Sequence, residues 1–172
     1  RVIVCLREFA WIIDSFERIF TKHPLQMSRM YNLQNGATVY TRAEALGGPN
    51  GTVGYAWHAA REAIFGEFAS RVIVVDFEAL TREPQKTMSQ IYKALGLAEF
   101  KHDFDNVEFD AADAFDAHFG APGMHSVRRK VEYTQRKTVL PPDIVLRYQQ
   151  NDYWKTREFQ RLGIPMCIWN RV

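Results

Sequence analysis

Two places in this chain carry side chains able to hold an anion. Arg7 closes the apolar run Val2-Ile3-Val4-Cys5-Leu6, and Ser15 follows eight residues later. A guanidinium offers a planar fork of donors that matches phosphate oxygens, and a hydroxyl can bind beside it. The other place is His125-Ser126-Val127-Arg128-Arg129-Lys130, continuing to Arg136-Lys137, with five cationic side chains in ten residues after the turn-forming Pro122-Gly123. Alternate residues of an extended segment share a face, so Arg128 and Lys130 point one way and Arg129 the other. Plainer roles fit the same residues. Arg7 can pair with Glu8 or Asp14 on the surface, leaving Ser15 an ordinary helix residue. The basic segment can be a surface strand paired with Glu132 and nearby acids.

These side chains need elements to position them. Val2 to Leu6 is β-branched and has no polar alternation, which suits a strand buried on both faces. From Phe9 the period changes: Ile12, Phe16 and Ile19 recur at helical spacing, and Ile13 and Phe20 widen the stripe. The expected unit is strand, charged junction, helix. In open α/β sheets ligands bind beyond the carboxyl ends of the strands, where Arg7 would stand. A helix from Phe9 carries Ser15 roughly 9 Å along its axis, within reach of Arg7 if the helix folds back along the strand. A second strand is expected from Arg71 to Phe77. After it Pro84 suits a first helical turn, Met88, Ile91, Tyr92 and Leu95 form an i, i+3, i+4, i+7 stripe, and Gly96 is a stop.

Val-Ile-Val-Cys-Leu-Arg7 with Ser15-Phe16 resembles the 3′-phosphate-binding segment of the sulfotransferases that use 3′-phosphoadenosine 5′-phosphosulfate. Arg71-Val-Ile-Val-Val-Asp-Phe77-Glu78-Ala-Leu80, Glu83-Pro84 and the helix ending Ala94-Leu95-Gly96-Leu97 are similar, in order and spacing, to the family's next strand, turn and helix. The resemblance is to the bacterial members and covers most of the chain. It matches least specifically from Gly36 to Tyr55 and over the last twenty residues. It implies an α/β, P-loop-type three-layer fold with a central parallel sheet flanked by helices. It also implies that Arg7 and Ser15 hold the nucleotide's 3′-phosphate, aided by Arg128, Arg129 and Lys130, which resemble the family's late Arg-Lys-Gly segment. Val131 stands where that glycine would be. Phe77 takes a position commonly Tyr in the family; it offers an apolar wall or core and no hydroxyl.

Composition sets wider limits. The 172 residues are one domain's worth of chain, 47% hydrophobic and 24% charged, which excludes disordered and collagen-like classes. A net charge of +2 argues against a broad nucleic-acid-binding face, so any basic site is local. The two cysteines, Cys5 and Cys167, lie in apolar runs and suit buried, reduced thiols in a cytoplasmic protein, with one disulfide still open. No stretch reaches membrane-spanning length. A chain that starts on a central strand reads as part of a longer protein. A homodimer is compatible with the sequence.

The remaining segments carry weaker signals. Helices are expected around Leu25 to Leu33, from a Thr41 cap to Leu46, from Val53 to Phe68, from an Asp110 cap to Phe119 with Phe115 and Phe119 packing, and from Pro141-Pro142 to Tyr153. Asn35-Gly36 marks a turn. Gly47-Gly48-Pro49-Asn50-Gly51 lacks the Lys-Ser/Thr ending of a phosphate loop and follows no strand, so it reads as a mobile loop over the site, or as turn chemistry. Trp57 and His58 could line an acceptor pocket or be structural. Asp103, Asp105, Glu108, Asp110, Asp113 and Asp116 lack Ca²⁺-loop spacing and suit a solvated face; no metal is expected. Pro165 makes Ile164 to Trp169 an edge strand or packed tail.

The resemblance implies direct sulfuryl transfer to a hydroxyl or amine on a small molecule or peptide. In the family the phosphosulfate loop, its Lys and the usual base lie upstream of the Arg-bearing strand, so no residue here is assigned as catalytic. Two other readings remain: a P-loop-type phosphotransferase, and a non-catalytic nucleotide-binding or assembly domain.

Overall fold

The computed structural model describes residues 1–33, 37–109 and 114–168. The chain opens with β1 (Val2–Leu6) and α1 (Phe9–Lys22), then α2 (Pro24–Met30), α3 (Val39–Gly47) and α4 (Thr52–Phe65). β2 (Val72–Asp76) follows, with α5 (Phe77–Arg82) and α6 (Pro84–Leu95). The last part holds α7 (Ala114–Phe119), α8 (Pro142–Gln149), α9 (Arg157–Gln160) and β3 (Met166–Cys167). The turn expected at Asn35-Gly36, the Asp110 cap, Asp113, the packing of Phe115 and Phe119, and Trp169 fall outside the described residues.

Among the described residues the strands form one parallel sheet in the order β1-β2-β3. Along β2 alternate side chains face opposite sides, and each side is covered. Leu6, Val72 and Val74 join Phe9, Ile13, Trp57, Ile144 and Trp154 in the main core. Ile73, Val75 and Cys167 join Ile91 of α6 in a smaller one. The molecule is thus mixed α/β around a small parallel sheet.

Only β2 is buried at every position. Among the described residues β1 pairs with β2 alone, and Val2 (59% exposed) and Ile3 (47%) are open, contrary to the reading of β1 as a central strand buried on both faces. Cys5 is also exposed; it and the buried Cys167 are both free thiols. β3 pairs at the other edge, and Pro165 contributes only its carbonyl, to Val74 N at 3.0 Å.

Local chemistry sets several boundaries. α6 begins on Pro84 and ends at Gly96, which adopts the left-handed conformation (φ 70°). Thr38, not Thr41, caps α3, its hydroxyl accepting from Thr41 N at 3.3 Å. α4 stops at Gly66, before the expected Phe68. α8 ends at Gln149, and a 3-10 turn at Tyr153–Lys155 follows. The Gly47–Gly51 cluster is a tight α3–α4 corner: a Cβ at Gly51 would lie 2.2 Å from the Ala45 carbonyl oxygen. It lines none of the cavities described below, against its reading as a loop over the site.

Candidate anion-binding site

Register places the site. Leu6 pairs with Asp76, so Arg7 and Phe77 leave their strands side by side at the carboxyl edge. The Arg7 guanidinium lies 4.5 Å from the Phe77 ring centroid, which makes Phe77 an apolar wall. α1 folds back along β1, and Arg7 Nη1 meets Ser15 Oγ at 3.4 Å. Ser15 donates to the Trp11 carbonyl at 3.0 Å, which turns the oxygen's lone pairs towards the guanidiniums.

A third residue meets them. Arg136 Nη2 donates to Ser15 Oγ at 2.8 Å and lies 2.9 Å from Asp14 Oδ2. Asp14 is fully buried and also accepts from Arg18 Nε at 2.9 Å, Thr138 Oγ1 at 2.9 Å and Val139 N at 2.8 Å. Burial works to raise its pKa, but the bonds from Val139, Arg18 and Thr138 outweigh that and hold the carboxyl below its usual range. Asp14 is therefore the clasp that pins the coil around Arg136 onto α1.

Arg7, Arg128, Lys130 and Arg136 line a cleft of about 360 Å³ together with Phe77, Thr134 and one carboxylate, Glu132. A smaller pocket of about 160 Å³ shares Arg7, Phe77, Thr134 and Arg136 with it and adds Trp11, Tyr133 and the carboxylates Glu8 and Glu78, so the cationic face is the Arg128 side. Arg7 forms no salt bridge among the described residues. Burial, then the neighbouring Arg136, lower its pKa, yet a guanidinium keeps its proton. Arg136 Nε is buried without a hydrogen-bond partner. A partly buried guanidinium that makes no ion pair and shares a cleft with three other cations and one carboxylate suits an anion.

The basic segment divides as its alternation implied. Arg128 and Lys130 line the cleft and Arg129 does not; its carbonyl accepts from Val107 N at 2.6 Å. Arg128 donates to Thr134 Oγ1 at 3.3 Å. Lys130 is already engaged by Asp105 at 2.9 Å, with both side chains largely exposed. His125 sits outside the cleft, its Nδ1 2.6 Å from Asp116 Oδ1. Trp57 is core, edge-on to Phe9 at 5.0 Å, and His58 is exposed.

A larger cavity of about 680 Å³ has the opposite character. Glu8, Glu78 and Asp152 line it against the single cation Lys155, whose Nζ lies 2.7 Å from Glu8 Oε1 and 4.0 Å from Glu78 Oε2. Burial, with Glu8 and Asp76 nearby, pushes the Asp152 carboxyl up to about 6, against the bond from Phe9 N. Such a surface repels phosphate. Among the described residues no His, Cys, Asp and Glu group is arranged to hold a metal ion.

Sequence reasoning assigned Arg7, Ser15, Arg128, Arg129 and Lys130. The structure gathers Arg7, Arg128 and Lys130 at one cleft, sets Ser15 behind Arg7 outside the lining, and leaves Arg129 out of it. It adds Arg136, which the sequence counted in the basic run without a role, and Asp14, which the sequence offered only as a surface partner for Arg7. The signal available for Asp14 was its position beside Ser15 on the helix.

Fold and site together define an α/β protein with a cationic cleft at the carboxyl end of a small parallel sheet. Comparison with family models, curated proteins and solved structures gives no match. No helix of the described residues is long and apolar enough to cross a membrane.

Proposed function

We propose that the Arg7 cleft holds the 3′-phosphate of 3′-phosphoadenosine 5′-phosphosulfate and that the protein is a cytoplasmic, bacterial-type sulfotransferase. The observation that carries this reading is a cleft in which Arg7, Arg128, Lys130 and Arg136 face one lining carboxylate, Glu132, with Arg7 and Arg136 meeting at the Ser15 hydroxyl behind it. The residue resemblance and the strand-edge position support it, and it entails a three-layer, P-loop-type fold.

In the reaction an acceptor hydroxyl or amine, on a small molecule or peptide, attacks sulfur. The bond from sulfur to the phosphate oxygen breaks, a base takes the acceptor's proton, and 3′-phosphoadenosine 5′-phosphate leaves. The contribution of these residues is remote binding: anchoring one phosphate fixes where the sulfuryl group can sit. Calorimetric titration with 3′-phosphoadenosine 5′-phosphate, against the analogue lacking the 3′-phosphate, tests the reading. A preference of at least about tenfold for the former is expected from one charge-assisted phosphate contact; equal affinities would remove it.

A further inference from the structure

Residues 131–139, which carry Arg136 and face the cleft, contain neither helix nor strand, so contacts alone fix their path. One end is tied where Val131 N donates to the Phe104 carbonyl at 2.8 Å. The other is tied by Asp14, through Arg136, Thr138 and Val139. Between these ties Tyr133 takes a different partner. The Arg82 guanidinium lies 3.7 Å from its ring centroid. Arg82 Nε is in turn held 2.9 Å from Oε1 of Glu78, which is buried on the first turn of α5. α5 begins at Phe77, the wall beneath Arg7.

We propose that Tyr133 is a positioning residue for the anion cleft: stacked on Arg82, it fixes the height of the 131–136 coil above Phe77, so that Arg128 and Arg136 face Arg7. The geometry suits that task. A guanidinium held by a buried carboxylate has little freedom, and stacking on it transmits that rigidity to the ring. Tyr133 then borders the smaller pocket, and the next residue, Thr134, accepts from Arg128. One ring thus sets both the cleft's outer wall and the anchor of a cation in it. This inference rests on the phosphate reading only for its binding arm.

The test pairs Tyr133→Ala with Tyr133→Phe. With 3′-phosphoadenosine 5′-phosphate as probe, Tyr133→Ala should weaken binding about tenfold and Tyr133→Phe less than about twofold, because the phenyl ring keeps the stack. Limited trypsin digestion of the free protein is the second readout. Cleavage after Arg128, Arg129 and Lys130 should quicken in Tyr133→Ala while the melting temperature stays near that of the parent. Should Tyr133→Ala melt early, Arg82→Lys replaces it, since it keeps a charge for Glu78 and loses the planar stack.

Parent-like trypsin cleavage in both of these variants would overturn the proposal, whatever the nucleotide does. Faster local cleavage with no nucleotide binding even by the parent would support the positioning role and sink the phosphate reading. Faster cleavage with unchanged nucleotide affinity would overturn the link between the stack and the cleft.

Discussion

Asp14 Oδ2 lies 2.9 Å from Arg136 Nη2, and the same nitrogen donates to the hydroxyl of Ser15, the residue beside Asp14 on α1. Two consecutive helix residues therefore divide the work. The carboxylate, wholly buried, fixes the guanidinium; the hydroxyl accepts from it and from Arg7. Arg136 is thus balanced by Asp14, whereas Arg7 makes no ion pair among the described residues.

Asp14→Asn tests the clasp. It removes the charge facing Arg18 and Arg136, whose side chains are only 34% and 28% exposed, and leaves poorer acceptors for Thr138 and Val139. The expected loss of stability is about 2–3 kcal/mol, read by urea denaturation. The sign of its pH dependence follows from the lowered pKa. Asp14's contribution is present above the unfolded carboxyl value of about 4 and is lost as pH falls through the lower folded value. The gap between parent and variant should therefore close in acid. A gap that stayed constant down to the acid transition would show that ionisation of Asp14 is not what holds the coil.

Arg7 and Ser15 should differ in what they contribute. Arg7→Lys keeps a charge but loses the fork and the flat face over Phe77, so affinity for 3′-phosphoadenosine 5′-phosphate should fall about tenfold. Ser15→Ala removes the acceptor that Arg7 and Arg136 share and should cost about 1 kcal/mol, or roughly fivefold. Neither change should alter affinity for the analogue lacking the 3′-phosphate. Equal losses for both nucleotides would mean that the two residues hold some other part of the ligand.

Asp152 gives a pH effect of the opposite sign. Its folded pKa of about 6 exceeds the unfolded value, so the folded state is favoured below the unfolded pKa and loses that advantage as pH rises through about 6. A shift of this size corresponds to about 3 kcal/mol at most, and partial exposure reduces it to about 1–2 kcal/mol. Asp152→Asn keeps a carbonyl to accept from Phe9 N, 3.4 Å away in the parent, and removes the charge. It should stabilise the protein by that amount at pH 7 and by nothing near pH 4. Chemical denaturation at both pH values measures this, and a variant no more stable than the parent at pH 7 would contradict it.

What the sequence disclosed was mostly local. The change of period at Arg7, the proline and glycine that bound α6, and the strand before Phe77 all rest on neighbours within a few residues, and each element formed where expected. The Arg7–Ser15 meeting was legible for the same reason, since one strand-to-helix turn decides it. Arg136 was not, because it lies 121 residues from Ser15 and its role depends on a carboxylate whose burial no local pattern reveals. Exposure of β1 was also beyond reach: an apolar run signals a strand, while the number of neighbours it pairs with is a long-range property. Thr38 displaced Thr41 as the α3 cap because either threonine fits the pattern and only the backbone path decides which hydroxyl faces a free amide.

The alternation of the basic segment supplies the last prediction. Arg128 lines the cleft with its side chain anchored on Thr134, whereas Arg129 is not in the lining and its backbone carbonyl accepts from Val107. Arg128→Ala should therefore weaken nucleotide binding by about 1–2 kcal/mol and reduce its salt dependence, since one cation leaves the neighbourhood of the phosphate. Arg129→Ala keeps the carbonyl and should change affinity by less than about twofold, through distant screened charge alone. Affinity titrations of both variants at low and physiological salt make the comparison. If Arg129→Ala lost as much affinity as Arg128→Ala, the segment would be acting through its total charge, and the facing of individual side chains would not matter.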